Sequence, residues 1–213
     1  MADARSALDD FLLSLSASRR PRICLVPTAA GDAERVIAAF FEAFVARECE
    51  PSCLRLFGAP EDPAAELARQ DVIYVSGGNT ANALAIWRLH GVDRALRDAW
   101  ERGAVLGGVS AGANCWFESC VTDSFGPQLE RLDDGLGLLP GSFCPHYDGE
   151  ERRRPVYREL VATGFPPGYA ADDGAALHFV GTELHEVVTS RDGAFAYRVE
   201  PGSETPIEPR PLP

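Results

Sequence analysis

The chain has 213 residues, of which 20 are Lys or Arg and 32 are Asp or Glu, so its formal net charge is −12. Hydrophobic residues make up 46% and charged residues 24%, a composition typical of a globular protein with a substantial core and not of a disordered chain. The excess of negative charge argues against nucleic acid as a partner, and no apolar run approaches the ~20 residues of a membrane-spanning helix.

Short apolar runs alternate with amphipathic stretches in the first half of the chain. Continuous apolar runs predict buried strands, and apolar residues spaced three and four apart predict helices. We expect strands at 22–27, 52–57, 71–75 and 104–109. We expect helices at 31–47, 63–69, 80–89, 93–102 and 111–119.

The second half of the chain has shorter segments, with one helix expected at 150–162. Short strands are expected at 141–144, 169–171, 175–180, 186–189 and 195–199. Strands that alternate with helices indicate an α/β fold, with a mostly parallel sheet covered on both faces and a short antiparallel extension at the C-terminal end. We predict a single α/β domain over residues 1–200 and a Pro-rich C-terminal tail over 201–213 that frays.

The chain contains no Lys, because all 20 basic residues are Arg. This excludes a phosphate-binding P-loop lysine, a Schiff base and a Ser-Lys dyad. The six Cys form no C-x-x-C motif, and no His/Cys cluster has zinc spacing, so we expect no metal site. The polar start, Met1 to Arg5, does not resemble a signal peptide, and we expect a reduced, cytoplasmic protein.

The sequence Gly-Val-Ser-Ala-Gly at 108–112 is a G-x-S-x-G motif between a predicted strand and a predicted helix. That context is the one a nucleophile elbow needs, because the turn is sharp and its flanking residues must be small. Ser110 then lies at a helix N-terminus, where backbone N–H groups favour a developing negative charge. Ser110 is therefore the candidate nucleophile, and the alternative is a packing turn in which Ser110 only caps the helix.

The sequence Ser-Gly-Gly-Asn-Thr at 76–80 ends the preceding predicted strand. If that strand neighbours the Ser110 strand, the N–H groups of Gly78 and Ala111 can form a two-donor oxyanion hole. Asn79 is a candidate substrate-binding residue, and the alternative is a helix start that Asn79 or Thr80 caps.

The general base must be a His, since Lys is absent, and His146 is the best candidate because it follows a predicted strand end and a proline that stiffens the loop. His90 has the position of a helix-capping residue, and His178 and His185 fall in predicted hairpin strands. Asp123 is the first candidate for the acid that orients His146. Asp148, Glu150 and Glu151 lie near His146 in sequence, and the last two are the alternative acids.

Three motifs resemble the dipeptidase E (aspartyl dipeptidase) family of serine peptidases. They are Gly-Gly-Asn-Thr at 77–80, Gly-Val-Ser-Ala-Gly-Ala-Asn at 108–114 and Cys-Pro-His-Tyr at 144–147. The wider superfamily includes cyanophycinase. The segment 169–177, which contains Asp172-Asp173-Gly174, also resembles a family block. The similarity spans roughly residues 20 to 200.

This resemblance implies a flavodoxin-like three-layer sandwich similar to class I glutamine amidotransferases. It implies a cofactor-free serine hydrolase, cytoplasmic and often a homodimer, with Ser110 as nucleophile and His146 as base. Asp123 matches the family acid approximately, at a shorter spacing from the nucleophile. The family's Arg that pairs with the substrate aspartyl carboxylate falls in the cluster 152–154, with Arg153 the closest match and Arg154 next.

The sequence therefore predicts a serine peptidase that hydrolyses short peptides, including dipeptides with an N-terminal Asp. A cyanophycinase-like enzyme or another acyl hydrolase is the second hypothesis, although an α/β-hydrolase would show an HGGG-type loop, which this sequence lacks. The third hypothesis is a non-catalytic, amidotransferase-like binding scaffold.

Overall fold

The computed structural model describes residues 6–58 and 62–213. The chain folds into two compact units, an N-terminal unit that ends at Ala113 and a C-terminal unit that begins at Asn114. The prediction of one domain over residues 1–200 stays a prediction. The first five residues, on which the expectation about a signal peptide rests, lie outside the described residues.

The N-terminal unit is built around a sheet of four parallel strands in the order β2-β1-β3-β4. The strands are β1 (Arg22–Val26), β2 (Glu50–Cys53), β3 (Val72–Val75) and β4 (Val105–Gly108). Strands β3 and β4 are direct neighbours, with Val75 opposite Gly108. Because parallel strands end at the same edge of a sheet, the loops that follow β3 and β4 start side by side.

The helices that begin in this unit are α1 (Ala7–Ser14), α2 (Glu34–Phe44), α3 (Pro63–Ala68), α4 (Thr80–His90), α5 (Val92–Glu101) and α6 (Ala111–Asn114), and a 3₁₀ turn lies at Thr28–Ala30. Helix α2 buries Ile37, Phe40 and Phe44, which the 3.6-residue period places on one face. These side chains pack with Ile23 and Leu25 of β1. The apolar spacing that predicted this helix is therefore the spacing of its core face.

The elbow helix is much shorter than the sequence pattern suggested. We expected a helix to Ser119, but α6 ends at Asn114 and the following residues form strand β5 (Phe117–Thr122). The reason is tertiary, because the carbonyl oxygens of Cys115 and Glu118 accept hydrogen bonds from the N–H groups of Leu136 and Gly135. Asp123 consequently follows a strand and not the elbow helix.

Two other boundaries also differ from the prediction. The second strand was expected at 52–57 and lies at Glu50–Cys53. Beyond it, the carboxylate of Asp32 accepts hydrogen bonds from the N–H groups of Leu56 (2.6 Å) and Phe57 (2.8 Å), which fixes a loop there. The helix expected at 150–162 begins later, at Arg153.

The C-terminal unit contains a mixed sheet of six strands in the order β12-β11-β8-β7-β5-β6 and a small sheet in the order β13-β10-β9. Its remaining elements are β6 (Glu130–Leu132), β7 (Leu139–Cys144), α7 (Arg153–Ala162), β8 (Gly168–Ala171), β9 (Ala175–Val180), β10 (Glu183–Thr189), β11 (Ala196–Glu200), β12 (Ser203–Ile207) and β13 (Arg210–Pro211). The pairs β5–β7 and β7–β8 are parallel, and β8, β11 and β12 pair antiparallel. Tyr157 and Val161 of α7 are buried in the core of this unit.

The predicted α/β fold, with mostly parallel central strands and antiparallel strands towards the C-terminus, is confirmed. The expectation that residues 201–213 fray is wrong, because β12 pairs with β11 and β13 pairs with β10. Two prolines in this tail lie at edge or end positions, where a missing N–H is tolerated. Within the described residues, no helix combines the length and the apolar character needed to cross a membrane.

Candidate active site

Ser110 lies between β4 and α6 in a left-handed backbone conformation, with φ +56°. Non-glycine residues rarely adopt this conformation, and those that do cluster at functional sites. Ser110 shares the feature with Asp32 and His146 among the described non-glycine residues. The side chain of a strained residue at a strand-to-helix turn points out of the turn, as a nucleophile elbow requires.

The glycines on either side of Ser110 are required by the packing of the turn. A Cβ atom on Gly108 would lie 2.3 Å from the carbonyl oxygen of Gly112, and a Cβ on Gly112 would lie 2.3 Å from the carbonyl oxygen of Val75. Both distances are too short for any side chain. The G-x-S-x-G pattern is therefore a steric requirement of this turn and not a chance match.

The Gly77-Gly78 loop packs directly beside Ser110. A Cβ on Gly77 would lie 3.4 Å from the Ser110 Cβ, so this glycine borders the serine side chain. Gly78 has φ +137°, and a Cβ there would lie 2.1 Å from the carbonyl oxygen of Ala29, so only glycine fits. The expected adjacency of the two strand-end loops is thus present within the N-terminal unit.

The backbone N–H groups of Gly78 and Ala111, the predicted oxyanion donors, make no hydrogen bond to other atoms in the described part of the chain. By contrast, the N–H of Asn79 donates to the carbonyl oxygen of Ala29 at 2.8 Å. The Asn79 side chain accepts a hydrogen bond from the N–H of Asn82 and caps helix α4. Asn79 therefore has the capping geometry that was the alternative to substrate binding.

His146 lies in the loop after β7, and its Nδ1 atom is 2.6 Å from Oδ1 of Asp173. Its backbone is left-handed, with φ +55°, and the N–H of the next residue, Tyr147, donates to the carbonyl oxygen of Ala171. The pairing of β7 with β8, in which Cys144 lies opposite Ala170, brings the two loops together. A carboxylate on Nδ1 selects the tautomer whose Nε2 is an acceptor, which is the form a general base needs.

Asp173 is itself held by the neighbouring loop. Its N–H donates to Oδ1 of Asp148 at 2.9 Å, and its carbonyl oxygen accepts from Nε of Arg191 at 2.7 Å. Arg191 also bonds to the Asp148 carboxylate, which closes the network. Burial alone would raise the pKa of Asp148, but hydrogen bonds from the Arg191 side chain and the Asp173 N–H hold this pKa below its ordinary value.

None of the three predicted acids bonds to the imidazole among the described residues. Asp123 is exposed after β5, and Glu151 is exposed before α7. The Glu150 carboxylate accepts from Nε of Arg153 at 2.7 Å. Asp173, which contacts His146 Nδ1, was not among the acids predicted from the sequence. The sequence feature that could have indicated it is the Asp172-Asp173-Gly174 turn after a predicted strand.

The two candidate substrate-binding arginines both have partners inside the protein. Arg153 is only 3% exposed, and its guanidinium bonds to Glu150 and to the carbonyl oxygen of Val121. Arg154 pairs with Glu204 of strand β12. The Glu204 carboxylate also accepts from the Tyr147 hydroxyl at 2.5 Å. A substrate carboxylate would therefore compete with Glu150 for Arg153, or with Glu204 for Arg154.

Comparisons with known proteins show the family and the fold of this chain. The family model described as Peptidase family S51 matches residues 1–187. The protein named "Uncharacterized peptidase YgaJ" of Bacillus subtilis (strain 168) is 53% identical over 195 residues, which are 91% of this chain and 84% of that protein. Peptidase E of Shewanella denitrificans is 31% identical over 142 residues, or 62% of this chain and 60% of that protein. The crystal structure of a peptidase from an acI-B1 Actinobacterium has a TM-score of 0.75 at 18% identity, over 98% of this chain and 91% of that one, and shows the fold.

The fold and these matches together define a serine-type peptidase, a hydrolase. The chain belongs to peptidase family S51. The resemblance to the dipeptidase E family is thereby confirmed.

Proposed function

We propose that this protein hydrolyses short peptides through a Ser110-His146-Asp173 triad, with the N–H groups of Gly78 and Ala111 as the oxyanion hole. Asp173 takes the role that the sequence pattern assigned to Asp123, Glu150 or Glu151. The observation that carries the proposal is the 2.6 Å contact between His146 Nδ1 and Asp173 Oδ1. The left-handed elbow at Ser110 supports it independently.

In this reaction Nε2 of His146 takes the proton from the Ser110 hydroxyl while Oγ attacks the peptide carbonyl carbon. The two backbone N–H groups stabilise the negative charge on the carbonyl oxygen of the tetrahedral intermediate. The protonated His146 then gives its proton to the leaving amine, and the C–N bond breaks. A water molecule, activated by the same imidazole, hydrolyses the acyl-enzyme and restores the free Ser110.

The test is covalent labelling by a serine-directed fluorophosphonate, followed by mass mapping and a dipeptide hydrolysis screen. We expect one adduct, on Ser110, and free amino acids released by the wild-type protein. The variant Ser110→Ala should lose both signals while its melting temperature is kept. The matched control is Ser203→Ala, which removes an exposed hydroxyl in β12. Labelling elsewhere, or near-normal turnover by Ser110→Ala, would contradict the proposal.

A preference for an N-terminal Asp belongs to the same proposal and depends on Arg153. A guanidinium binds a carboxylate bidentately, and Arg153 is close in sequence to the base His146. The cyanophycinase-like alternative differs in its substrate, a branched Asp-Arg polymer, and adding that polymer to the dipeptide screen tests it. A binding scaffold would give neither labelling nor turnover.

We also propose a cytoplasmic location, which the six free cysteines support, because thiols stay reduced in that compartment. A homodimer stays a proposal that rests on the family resemblance alone. Sedimentation of the purified protein tests the oligomeric state.

A further inference from the structure

A cluster of potential metal ligands lies on the β9–β10 hairpin and is independent of the peptidase chemistry. It consists of His178, His185 and Glu186, and one donor atom from each lies within 4.8 Å of the other two. His178 and Glu186 are partly buried, and His185 is exposed. The two imidazole centroids are 5.2 Å apart.

The local strand geometry explains how two consecutive residues come to face the same partner. Neighbouring residues of a strand normally point to opposite faces of the sheet, so His185 and Glu186 would diverge in a regular strand. The register shifts between Leu184 and Glu186, and the pairing passes from Leu184–Phe179 to Glu186–His178. His185 is the extra residue of a β-bulge, and bulges re-aim side chains in this way. Two residues of β10 therefore oppose His178 of β9.

From this juxtaposition we propose a binding site for a Zn²⁺-like divalent cation, formed by His178, His185 and Glu186. Two imidazoles and one carboxylate are a ligand set that Zn²⁺ takes with water in the fourth position. Tetrahedral bonds of about 2.1 Å place donors about 3.4 Å apart, so the side chains need to close by no more than about 1.4 Å. Side-chain rotation at a partly exposed surface provides that movement.

The carboxylate is already oriented for such a site. Oε1 of Glu186 faces Nδ1 of His178 at 3.4 Å, while Oε2 bonds to Arg210 of β13 at 2.8 Å. The Arg210 guanidinium therefore holds the Oε2 side of the carboxylate, while Oε1 stays directed towards His178. Arg210 thus orients the Glu186 carboxylate from outside the proposed metal site, while its positive charge limits the affinity of the site for a cation.

The experiment is titration of chelator-treated, untagged full-length protein with Zn²⁺ by calorimetry. We expect one ion per chain, with affinity at least about tenfold weaker in both His178→Ala and His185→Ala, since loss of even an outer partner has that effect. The matched control His90→Ala removes a histidine at the end of helix α4 and should bind as the wild type does. His185 is exposed, so His185→Ala keeps the proposal testable if His178→Ala fails to fold.

A cobalt titration identifies the ligand type. We expect a spectrum without thiolate-to-cobalt charge transfer and unchanged binding by His146→Ala. Three results would contradict the proposed metal site. They are wild-type Zn²⁺ affinity in both His185→Ala and Glu186→Gln, thiolate-to-cobalt bands in the spectrum, and loss of binding in His146→Ala. Zn²⁺ should also raise the melting temperature of the wild type but not of His185→Ala, because a ligand of the native state stabilises it.

Discussion

His146 and Asp173 are 27 positions apart in the chain, yet their side chains form a 2.6 Å hydrogen bond between Nδ1 and Oδ1. The parallel pairing of β7 with β8 brings them together, since His146 follows the end of β7 and Asp173 follows the end of β8. The side chain of His146 is 26% exposed and that of Asp173 is 52% exposed. The hydrogen bond therefore fixes the orientation of the imidazole, and the ring remains accessible to a substrate.

The first prediction concerns Asp173, the acid of the proposed triad. Asp173→Asn should reduce kcat by about 10³–10⁴-fold without loss of the fold, because an amide selects the wrong imidazole tautomer. The measurement is steady-state hydrolysis of the best dipeptide from the screen. Asp123→Asn and Glu151→Gln are the matched controls and should keep near-normal kcat. A large loss in Asp123→Asn, with a nearly active Asp173→Asn, would return the role to Asp123.

The second prediction concerns the elbow. Gly112→Ala should destabilise the protein by about 1–3 kcal/mol, because the new methyl group collides with the carbonyl oxygen of Val75 in a packed turn. Activity should also fall, since Ser110 moves with the turn. The control is Gly126→Ala, where a Cβ meets no atom within 4 Å and no unusual φ is required. Equal unfolding midpoints in urea for the two variants would contradict the steric argument.

Much of the N-terminal unit was predictable because its signals are local. The run from Ile23 to Val26 is continuous and apolar, and the elbow glycines are required by contacts within a few residues and with the adjacent strand. The position of Ser110 between a strand and a helix could therefore be predicted from the sequence.

The carboxylate partner of His146 was not predictable in the same way, because it depends on which strands pair. Asp123 lies 13 residues after Ser110, and proximity in sequence favoured it over Asp173. The predicted length of α6 was wrong for a related reason. The hydrogen bonds that draw Cys115 and Glu118 into extended structure come from residues 135–136, far along the chain. The tail that contains Glu204 was likewise expected to fray, but Glu204 accepts a hydrogen bond from Tyr147, the residue after His146.

The third prediction concerns the link between strand β12 and the loop of His146. Glu204→Gln should lower the stability at neutral pH by about 1–3 kcal/mol, because the Tyr147 hydroxyl and the Arg154 guanidinium lose a charged partner. Burial alone would raise the pKa of Glu204, but hydrogen bonds from Arg154 and Tyr147 hold this pKa below its ordinary value of 4.5.

A carboxylate with a lowered pKa contributes stability above its unfolded-state pKa and loses that contribution as the pH falls through the folded-state value. The melting-temperature difference between wild type and Glu204→Gln should therefore be largest near pH 7 and shrink below about pH 4.5. The control Glu208→Gln changes an exposed residue of the same tail and should show little difference at any pH. A melting-temperature difference between wild type and Glu204→Gln that grows towards acid pH would contradict the lowered pKa of Glu204.

The fourth prediction addresses the preference for an N-terminal Asp. Arg153 is buried, and its charge is balanced by Glu150 at 2.7 Å. If Arg153 binds the substrate carboxylate, Glu150 is its competitor, so the two variants should act in opposite directions. Arg153→Ala should lower kcat/KM for Asp-X peptides by roughly 30-fold or more relative to Ala-X peptides, since removing a desolvated charge partner costs about 2–5 kcal/mol.

Glu150→Gln keeps the shape of the side chain but removes its charge, and it should raise kcat/KM for Asp-X relative to Ala-X. Arg152→Ala, which removes an exposed guanidinium next in the chain, is the matched control and should leave the ratio unchanged. Because Arg153→Ala also removes the donor to the Val121 carbonyl oxygen, its melting temperature should fall, and the ratio of the two substrates corrects for any unfolded fraction. If both variants change the two substrates equally, Arg153 serves only to anchor α7, and the enzyme selects its peptides by another feature.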